Sequence, residues 1–434
     1  MSEASPLLVY AMVCSFFTLL AIKPMPRLPG VLLVPIFLLT LPVTELTIYV
    51  LVCESIGAIW FIGQGALSEP YGHWAFALFC LNIAGLVWLF RCQWVTGSIL
   101  EQALEQAGIS RDNQADRPLR VRDWLLPKPI CPKTVETLKD IAYADSHPLQ
   151  TLDIYRAKKS SKVARPVLLF IHGGGWYLGD KSDQGLPLLH FMADQGWLCV
   201  SINYRLAPDN RLPAHIIDVK HAIQWIKKNI AEYGGDPNFI AAAGGSAGGH
   251  LSALAALTGG KDRLRERFQP GFETADTEIQ AAVSLYGMYD FVDSSGLNIN
   301  TVMRKLLEDK IMPKPLHDDP ELWRDVSPLS NVHEDAPPHL IIHGSHDPMM
   351  SPADSTHFST SLQAVSASSV AIAILPGAQH AFDLLPSLRT AMTVRKILQF
   401  LNAVRAAASE SAPRQTGPST TGAERINPIH SKNN

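Results

Sequence analysis

The sequence has little that would indicate a nucleic-acid partner or a metal site. Its 434 residues contain 37 Lys and Arg against 40 Asp and Glu, so no basic excess is available for a phosphate backbone. The six cysteines include no CxxC pair and lie mostly in apolar or strand-like runs. We therefore expect no nucleic acid, no metal cluster and no disulfide framework.

Charge is also scarce in the first 92 residues, where long apolar runs dominate. Runs at 7–22, 31–63 and 74–90 approach the roughly 20 apolar residues that a membrane span needs. Tryptophans at 60, 74, 88 and 94 fit an aromatic belt at the membrane interfaces. We predict that residues 1–95 form a multi-span transmembrane helical anchor, in contact with membrane lipid.

Two other interpretations of this region are weaker. A cleavable signal peptide would need a basic start, which is missing, and further apolar runs follow the first one. Buried helices of a soluble protein would also be apolar.

The topology depends on residues 31–63. One long span gives three crossings, places Lys23, Arg27 and Arg91 on one side, and makes the large domain cytoplasmic. We favour this version over a hairpin turning at "PVTE", which gives four crossings and an outside domain.

The remainder of the chain alternates strand-like and helical segments. Residues 96–149 contain basic residues and prolines, and we interpret them as a juxtamembrane linker or a partial cap. From 150 to 406, buried apolar strands alternate with amphipathic helices, which predicts a doubly wound, mostly parallel α/β sheet. The polar tail, 407–434, is predicted to be disordered.

A glycine-rich pentapeptide, Gly244 to Gly248, surrounds Ser246 between a predicted strand and a predicted helix. A GxSxG sequence at that place forms a tight turn with the serine at its apex, and small neighbours are needed because a Cβ would clash. Taken alone, the pentapeptide favours a structural turn without chemistry over a nucleophile. Ser246 is nevertheless our candidate nucleophile.

A second glycine run, "HGGGW" at His172 to Trp176, ends an earlier strand. Backbone N–H groups of such a loop stabilise the oxyanion of acyl transfer, so Gly173 and Gly174 are candidate donors, together with the N–H of Ala247. A phosphate-binding loop is the alternative, but the lysine of GxxxxGK[ST] is missing.

A serine nucleophile needs a base and an acid that orients the base. Asp347 follows the strand in "LIIHGSHD", and His380 follows the next strand in "AIAILPGAQH". The order Ser, Asp, His is the one expected for this sheet topology. Rival residues are His250, His343 and His346 for the base, and Asp290 and Asp383 for the acid.

Together these motifs resemble the hormone-sensitive-lipase-like branch of the α/β-hydrolase superfamily. "IHGGGWYLGDK", "INYRLAP", "AGGSAGGHL", "HGSHDPM" and "GAQHAFD" follow that pattern in order over residues 150–405. The resemblance implies a carboxylic-ester hydrolase with Ser246, Asp347 and His380 as triad and Gly173, Gly174 and Ala247 as oxyanion hole. It implies no metal or organic cofactor.

The sequence departs from this branch at two places. Gly245 stands where many members carry an Asp before the nucleophile. The N-terminal cap of the branch is replaced by the apolar runs, so cover must come from 96–149, from a lid within 291–338 or from the bilayer. Trp176 and Tyr177 are candidates for the lining of the substrate pocket, and packing in the core is the equal alternative for both.

The leading hypothesis is a membrane-anchored serine carboxylesterase or lipase that acts on lipophilic esters. An amidase, peptidase or formamidase-like hydrolase on the same triad is the alternative enzyme. A non-catalytic membrane-anchored binding protein is the alternative from another class. The sequence indicates no oligomeric state.

Overall fold

The computed structural model describes residues 5–23, 30–111, 132–260, 262–297 and 301–411. A group of apolar helices comes first, and a single eight-stranded sheet with its covering helices follows. The N-terminal helices are α1 (Pro6–Ile22), α2 (Gly30–Glu45), α3 (Thr47–Gly63), α4 (Gly72–Trp94) and α5 (Thr96–Gln106).

Helices α1, α3 and α4 pack side by side through two small apolar clusters. The cluster far from the sheet contains Leu7, Ala11, Ala58, Ala75 and Phe79. The cluster near the sheet contains Ala21, Val43, Leu86 and Leu89. The first cluster joins the start of α1 to the start of α4, and the second joins their ends, so these two helices run parallel to each other.

Helix α2 does not continue the direction of α3. The two helices meet at Leu46 with a bend of 88°. The break lies immediately after "PVTE", where the hairpin version places its turn, but the angle fits neither one straight span nor an antiparallel hairpin.

Among the described residues, one helical stretch, Gly72–Gln106, which consists of α4 and α5, is long and apolar enough to cross a membrane. The bent pair passes that test only as one broken span, and α1, with 17 residues, is shorter. The multi-span anchor therefore stays a prediction.

The sheet has the order β1-β2-β4-β3-β5-β6-β7-β8. β1 and β2 pair antiparallel to their neighbours, and β3 to β8 are parallel. The strands are β1 (Val135–Ala142), β2 (Thr151–Ala157), β3 (Arg165–Ile171), β4 (Leu198–Ile202), β5 (Gly235–Gly245), β6 (Ala281–Leu285), β7 (His339–Gly344) and β8 (Val370–Leu375).

Helices cover both faces of the sheet, so the parallel strands are buried on both sides, as the continuous apolar runs predict. These helices are α6 (Leu186–Asp194), α7 (Ala214–Asn229), α8 (Ala247–Leu257), α9 (Asp262–Phe268), α10 (Thr301–Leu306), α11 (Pro320–Asp325), α12 (Pro352–Val365) and α13 (Leu388–Ser411). The α/β fold class is confirmed.

Two parts of the predicted linker, 96–149, are regular structure that belongs to the sheet domain. β1 is an edge strand with one fully buried side chain at its start and a half-exposed remainder, so it lacks the apolar alternation that identifies a strand. α5 buries Leu100 and Leu104 in the same cluster as α13. Residues 112–131 lie outside the described part of the chain.

The segment proposed as a possible lid, 291–338, contains helix α10, which is extended by one π turn over Leu307–Ile311. The last helix runs to Ser411, a few residues into the predicted disordered tail. Residues 412–434 of that tail lie outside the described residues.

Candidate active site

Ser246 occupies a sharp turn between β5 and α8. Its backbone lies at φ 56° and ψ −119°, a conformation that non-glycine residues rarely adopt and that costs of order 1–3 kcal/mol. The flanking glycines are required, because a Cβ on Gly244 would meet the backbone of Gly248, and one on Gly248 would overlap the Ile171 carbonyl. The turn therefore presents the Ser246 hydroxyl beyond the carboxyl edge of the sheet.

The structure brings Ser246, His380 and Asp347 into one hydrogen-bonded row. His380 Nε2 lies 2.9 Å from Ser246 Oγ, and His380 Nδ1 lies 2.6 Å from Asp347 Oδ2. His380 and Asp347 are 4% and 7% exposed, while the serine is partly exposed. This is the arrangement in which an imidazole takes a proton from a hydroxyl while a carboxylate fixes its orientation.

The carboxylate of Asp347 is held on both oxygens. Its Oδ1 accepts the N–H groups of Met349 and Met350 at 2.8 and 2.9 Å. Its Oδ2 faces His380 and also His343, whose Nε2 is 3.1 Å away. Burial raises the pKa of Asp347, but the charge of His380 and the hydrogen bonds from both histidines outweigh it, so the pKa falls well below its ordinary value.

His343, which the sequence offers as a rival for the base, is instead a second contact to the acid. It is fully buried, and its Nδ1 pairs with Ser355 Oγ at 2.7 Å, which directs Nε2 toward Asp347. The signal in the sequence was the HGSHD spacing, since His343 ends the same strand that leads to the acid.

The other rival histidines and acids lie elsewhere. His250 accepts the indole N–H of Trp176 and contacts the Val326 carbonyl. Burial lowers the pKa of His250 to about 3, so this histidine is neutral and packs in the core. The His346 ring lies tilted against the Trp88 ring, with centroids 5.9 Å apart. Asp290 accepts hydrogen bonds from Ser294 and Ser295.

Asp383 pairs with Tyr286 rather than with the base. The phenol donates to the Asp383 carboxylate, and the Tyr286 ring centroid lies 4.7 Å from that of His380. The same tyrosine explains Gly245, because a Cβ there would lie 2.8 Å from Tyr286 Cζ. In this chain the tyrosine ring fills the space beside the turn, so the position before the nucleophile carries no side chain.

The predicted oxyanion donors divide into two kinds. Gly173 lies against Ser246, but its N–H donates to Gln184 Oε1 at 2.8 Å and is therefore occupied in this arrangement. Gly174, at φ 114°, makes no N–H bond to any described residue, and Ala247 is the first residue of α8, where helix N–H groups have no internal acceptor. The N–H groups of Gly174 and Ala247 thus have no acceptor among the described residues.

The two predicted pocket residues also differ. Trp176 is fully buried and packs edge-on against His250 and Phe291, which fits the alternative of core packing rather than the lining of a pocket. Its backbone lies at φ 63°, which turns the bulky ring into the core. Tyr177 is half-buried, and Lys310 sits over its ring at 5.4 Å, so it lies at the surface between the glycine loop and the predicted lid.

The glycine loop itself is anchored by His172. The imidazole Nδ1 contacts the Gly173 carbonyl at 2.7 Å, and the ring stacks on Tyr204 at 4.4 Å. Burial lowers the pKa of His172, which keeps the ring neutral. The described residues contain no cluster of three or more His, Cys, Asp or Glu side chains with the geometry of a metal site.

Comparison with known proteins agrees with this geometry. Residues 152–362 match the BD-FAE family model. Esterase LipQ of Mycobacterium tuberculosis is 44% identical over 266 residues, which are 61% of this chain and 62% of LipQ. The probable carboxylic ester hydrolase LipM of the same organism is 45% identical over 280 residues, 64% of this chain and 63% of LipM. The chain therefore spans less than two thirds of either relative.

A solved structure of esterase B from Lactobacillus rhamnosis superposes with a TM-score of 0.54 at 20% identity, covering 73% of this chain and 98% of that one. This likeness is one of fold. The sheet order, the serine turn and the His380–Asp347 contact thus define an α/β-hydrolase. Within that fold, the similarity to mycobacterial ester hydrolases supports the resemblance of the motifs to the hormone-sensitive-lipase-like branch.

Proposed function

We propose that this chain is a membrane-anchored serine carboxylesterase that hydrolyses apolar carboxylic esters. The observation that carries the proposal is the continuous contact from Ser246 Oγ through His380 to Asp347, at 2.9 and 2.6 Å. The similarity to LipQ and LipM, both named as ester hydrolases, supports the ester bond as the target.

The reaction is a double displacement. Ser246 Oγ attacks the ester carbonyl while His380 Nε2 takes its proton, and the N–H groups of Gly174 and Ala247 stabilise the oxyanion. His380 then returns the proton to the leaving alcohol. Water, deprotonated by His380, hydrolyses the acyl-enzyme and regenerates the serine.

Membrane anchoring is part of the proposal and is supported by the apolar helices. α1 and α4 end beside the sheet domain, and α3 runs back alongside them, so three crossings place Lys23 and Arg91 on the side of the sheet domain. Positive charge is preferred on the cytoplasmic side, which favours a cytoplasmic catalytic domain. A lipophilic ester dissolved in the bilayer is then the natural substrate.

The test is hydrolysis of p-nitrophenyl esters from acetyl to palmitoyl by the detergent-solubilised full chain, together with labelling by a fluorophosphonate. We expect turnover that Ser246→Ala reduces by on the order of 10⁶, with loss of labelling. Hydrolysis of amides in preference to esters would replace the proposal by the amidase alternative. Absence of both turnover and labelling would refute a catalytic role.

A further inference from the structure

Helix α2 lies directly against the loop that carries His380. The Phe37 ring meets the His380 ring edge to face, with centroids 6.3 Å apart. One turn further, Thr40 Oγ1 lies 3.1 Å from the side-chain oxygen of Gln379, the residue before the histidine. The N-terminal helices are therefore in contact with the catalytic loop.

The end of α2 is fixed to the sheet domain by a buried ion pair. Arg389, the second residue of α13, donates from Nε to Glu45 at 3.0 Å, and both side chains are fully inaccessible. Ser387 donates to the same carboxylate at 2.9 Å. Removing one partner of such a pair leaves an uncompensated buried charge, so α2 has a defined position above His380.

The two faces of α2 differ in what they contact. Leu33, Phe37 and Leu41 are buried toward the rest of the chain, at spacings of four residues. Leu32, Leu38 and Leu39 point away and are 50%, 57% and 58% exposed. Neighbouring positions on one helix thus separate the catalytic side from the outer side.

We infer that α2 covers the active site and that Phe37 determines specificity. The Phe37 ring limits the length of the acyl or alkoxy chain that is accepted at Ser246. The inference rests on the proposed esterase function. An ester attached to Ser246 lies beside His380 Nε2, and the imidazole contacts both the Tyr286 ring and the Phe37 ring, whose centroids are 4.7 and 6.3 Å away. A chain that extends from the ester past the imidazole therefore meets the Phe37 ring.

The experiment compares Phe37→Ala, Phe37→Trp and Leu38→Ala in the full chain. Leu38→Ala is the matched control, because it removes a similar side chain from the outer face of the same turn. The readout is the ratio of kcat/KM for decanoyl to that for acetyl p-nitrophenyl ester. This ratio does not change with the folded fraction of a sample, so a merely destabilised variant leaves it unchanged.

We expect Phe37→Ala to raise the ratio on the order of tenfold, since the vacated volume admits additional methylenes. Phe37→Trp should lower it, and Leu38→Ala should leave it at the wild-type value. A ratio that is unchanged in both Phe37 variants, or that changes equally in Leu38→Ala, would overturn the inference. Absence of wild-type turnover and of Ser246 labelling would instead overturn the proposed function.

Discussion

Replacing Asp347 by Asn tests the triad, because the surroundings of the carboxylate determine how the amide must sit. The N–H groups of Met349 and Met350 both donate to Oδ1, so the amide oxygen must take that place. The NH₂ group then stands where Oδ2 was and faces His380 Nδ1. A neutral imidazole has to accept that hydrogen bond, which puts its proton on Nε2, toward Ser246.

An imidazole that is protonated on Nε2 cannot take the proton of the serine hydroxyl. A buried triad aspartate changed to asparagine in this way lowers kcat by about 10⁴ in other serine hydrolases. At 1.36 kcal/mol per factor of ten, that is about 5 kcal/mol of transition-state stabilisation. The reverse orientation of the amide would leave two backbone donors facing an NH₂ group, so rotation of the side chain does not restore activity.

The assay measures kcat and KM on a short p-nitrophenyl ester, with Asp383→Asn as the matched control. Asp383 is also buried and close to His380, but it accepts its hydrogen bond from Tyr286. We expect Asp347→Asn to lose about 10⁴ in kcat with little change in KM, and Asp383→Asn to lose less than about tenfold. Equal losses, or a loss of under about 30-fold in Asp347→Asn, would refute the assignment of the acid.

Two further predictions concern stability. Gly245→Ala should lower Tm by several degrees, because its Cβ would lie 2.8 Å from Tyr286 Cζ. The control Gly63→Ala has open space around its Cβ and should leave Tm within about a degree of the wild type. Equal Tm values for the two variants would contradict this packing. Burial lowers the pKa of Lys220 to about 7, from an unfolded value near 10.5. Between these values the unfolded chain binds the extra proton, so the free energy of unfolding rises with pH. The Tm of the wild type minus the Tm of Lys220→Met should therefore increase from pH 7 to pH 9.5. A difference that stays constant would show that this lysine does not titrate in that range.

The core of the site was predictable because its residues follow strands in a fixed order. A small-residue turn around Ser246, an acid after β7 and a histidine after β8 are all local patterns, and a parallel sheet brings the carboxyl ends of its strands to one edge. The sequence left open whether Trp176 lines a pocket or packs in the core, because its positive φ, which sets the direction of the side chain, cannot be read from the sequence. The occupied N–H of Gly173 depends in the same way on the distant Gln184.

The cover of the site could not be predicted. In the sequence, Glu45 is an interruption in an apolar run, and its partner is separated from it by 344 positions along the chain. No local pattern indicates that α2 meets the His380 loop. β1 was missed for a related reason, since an edge strand buries too few side chains to show a period.

The distance along the chain between Glu45 and Arg389 also constrains biosynthesis. At about 5–20 residues per second, the arginine emerges from the ribosome roughly 20–70 seconds after the glutamate. During that interval the carboxyl group has no guanidinium to neutralise it, and α2 has no α13 to rest on. Helix α13 is thus translated long after α2, whose position it fixes. A ribosome that stops before Leu388 leaves a chain that contains Ser246 but lacks the ion pair that holds α2 over the active site.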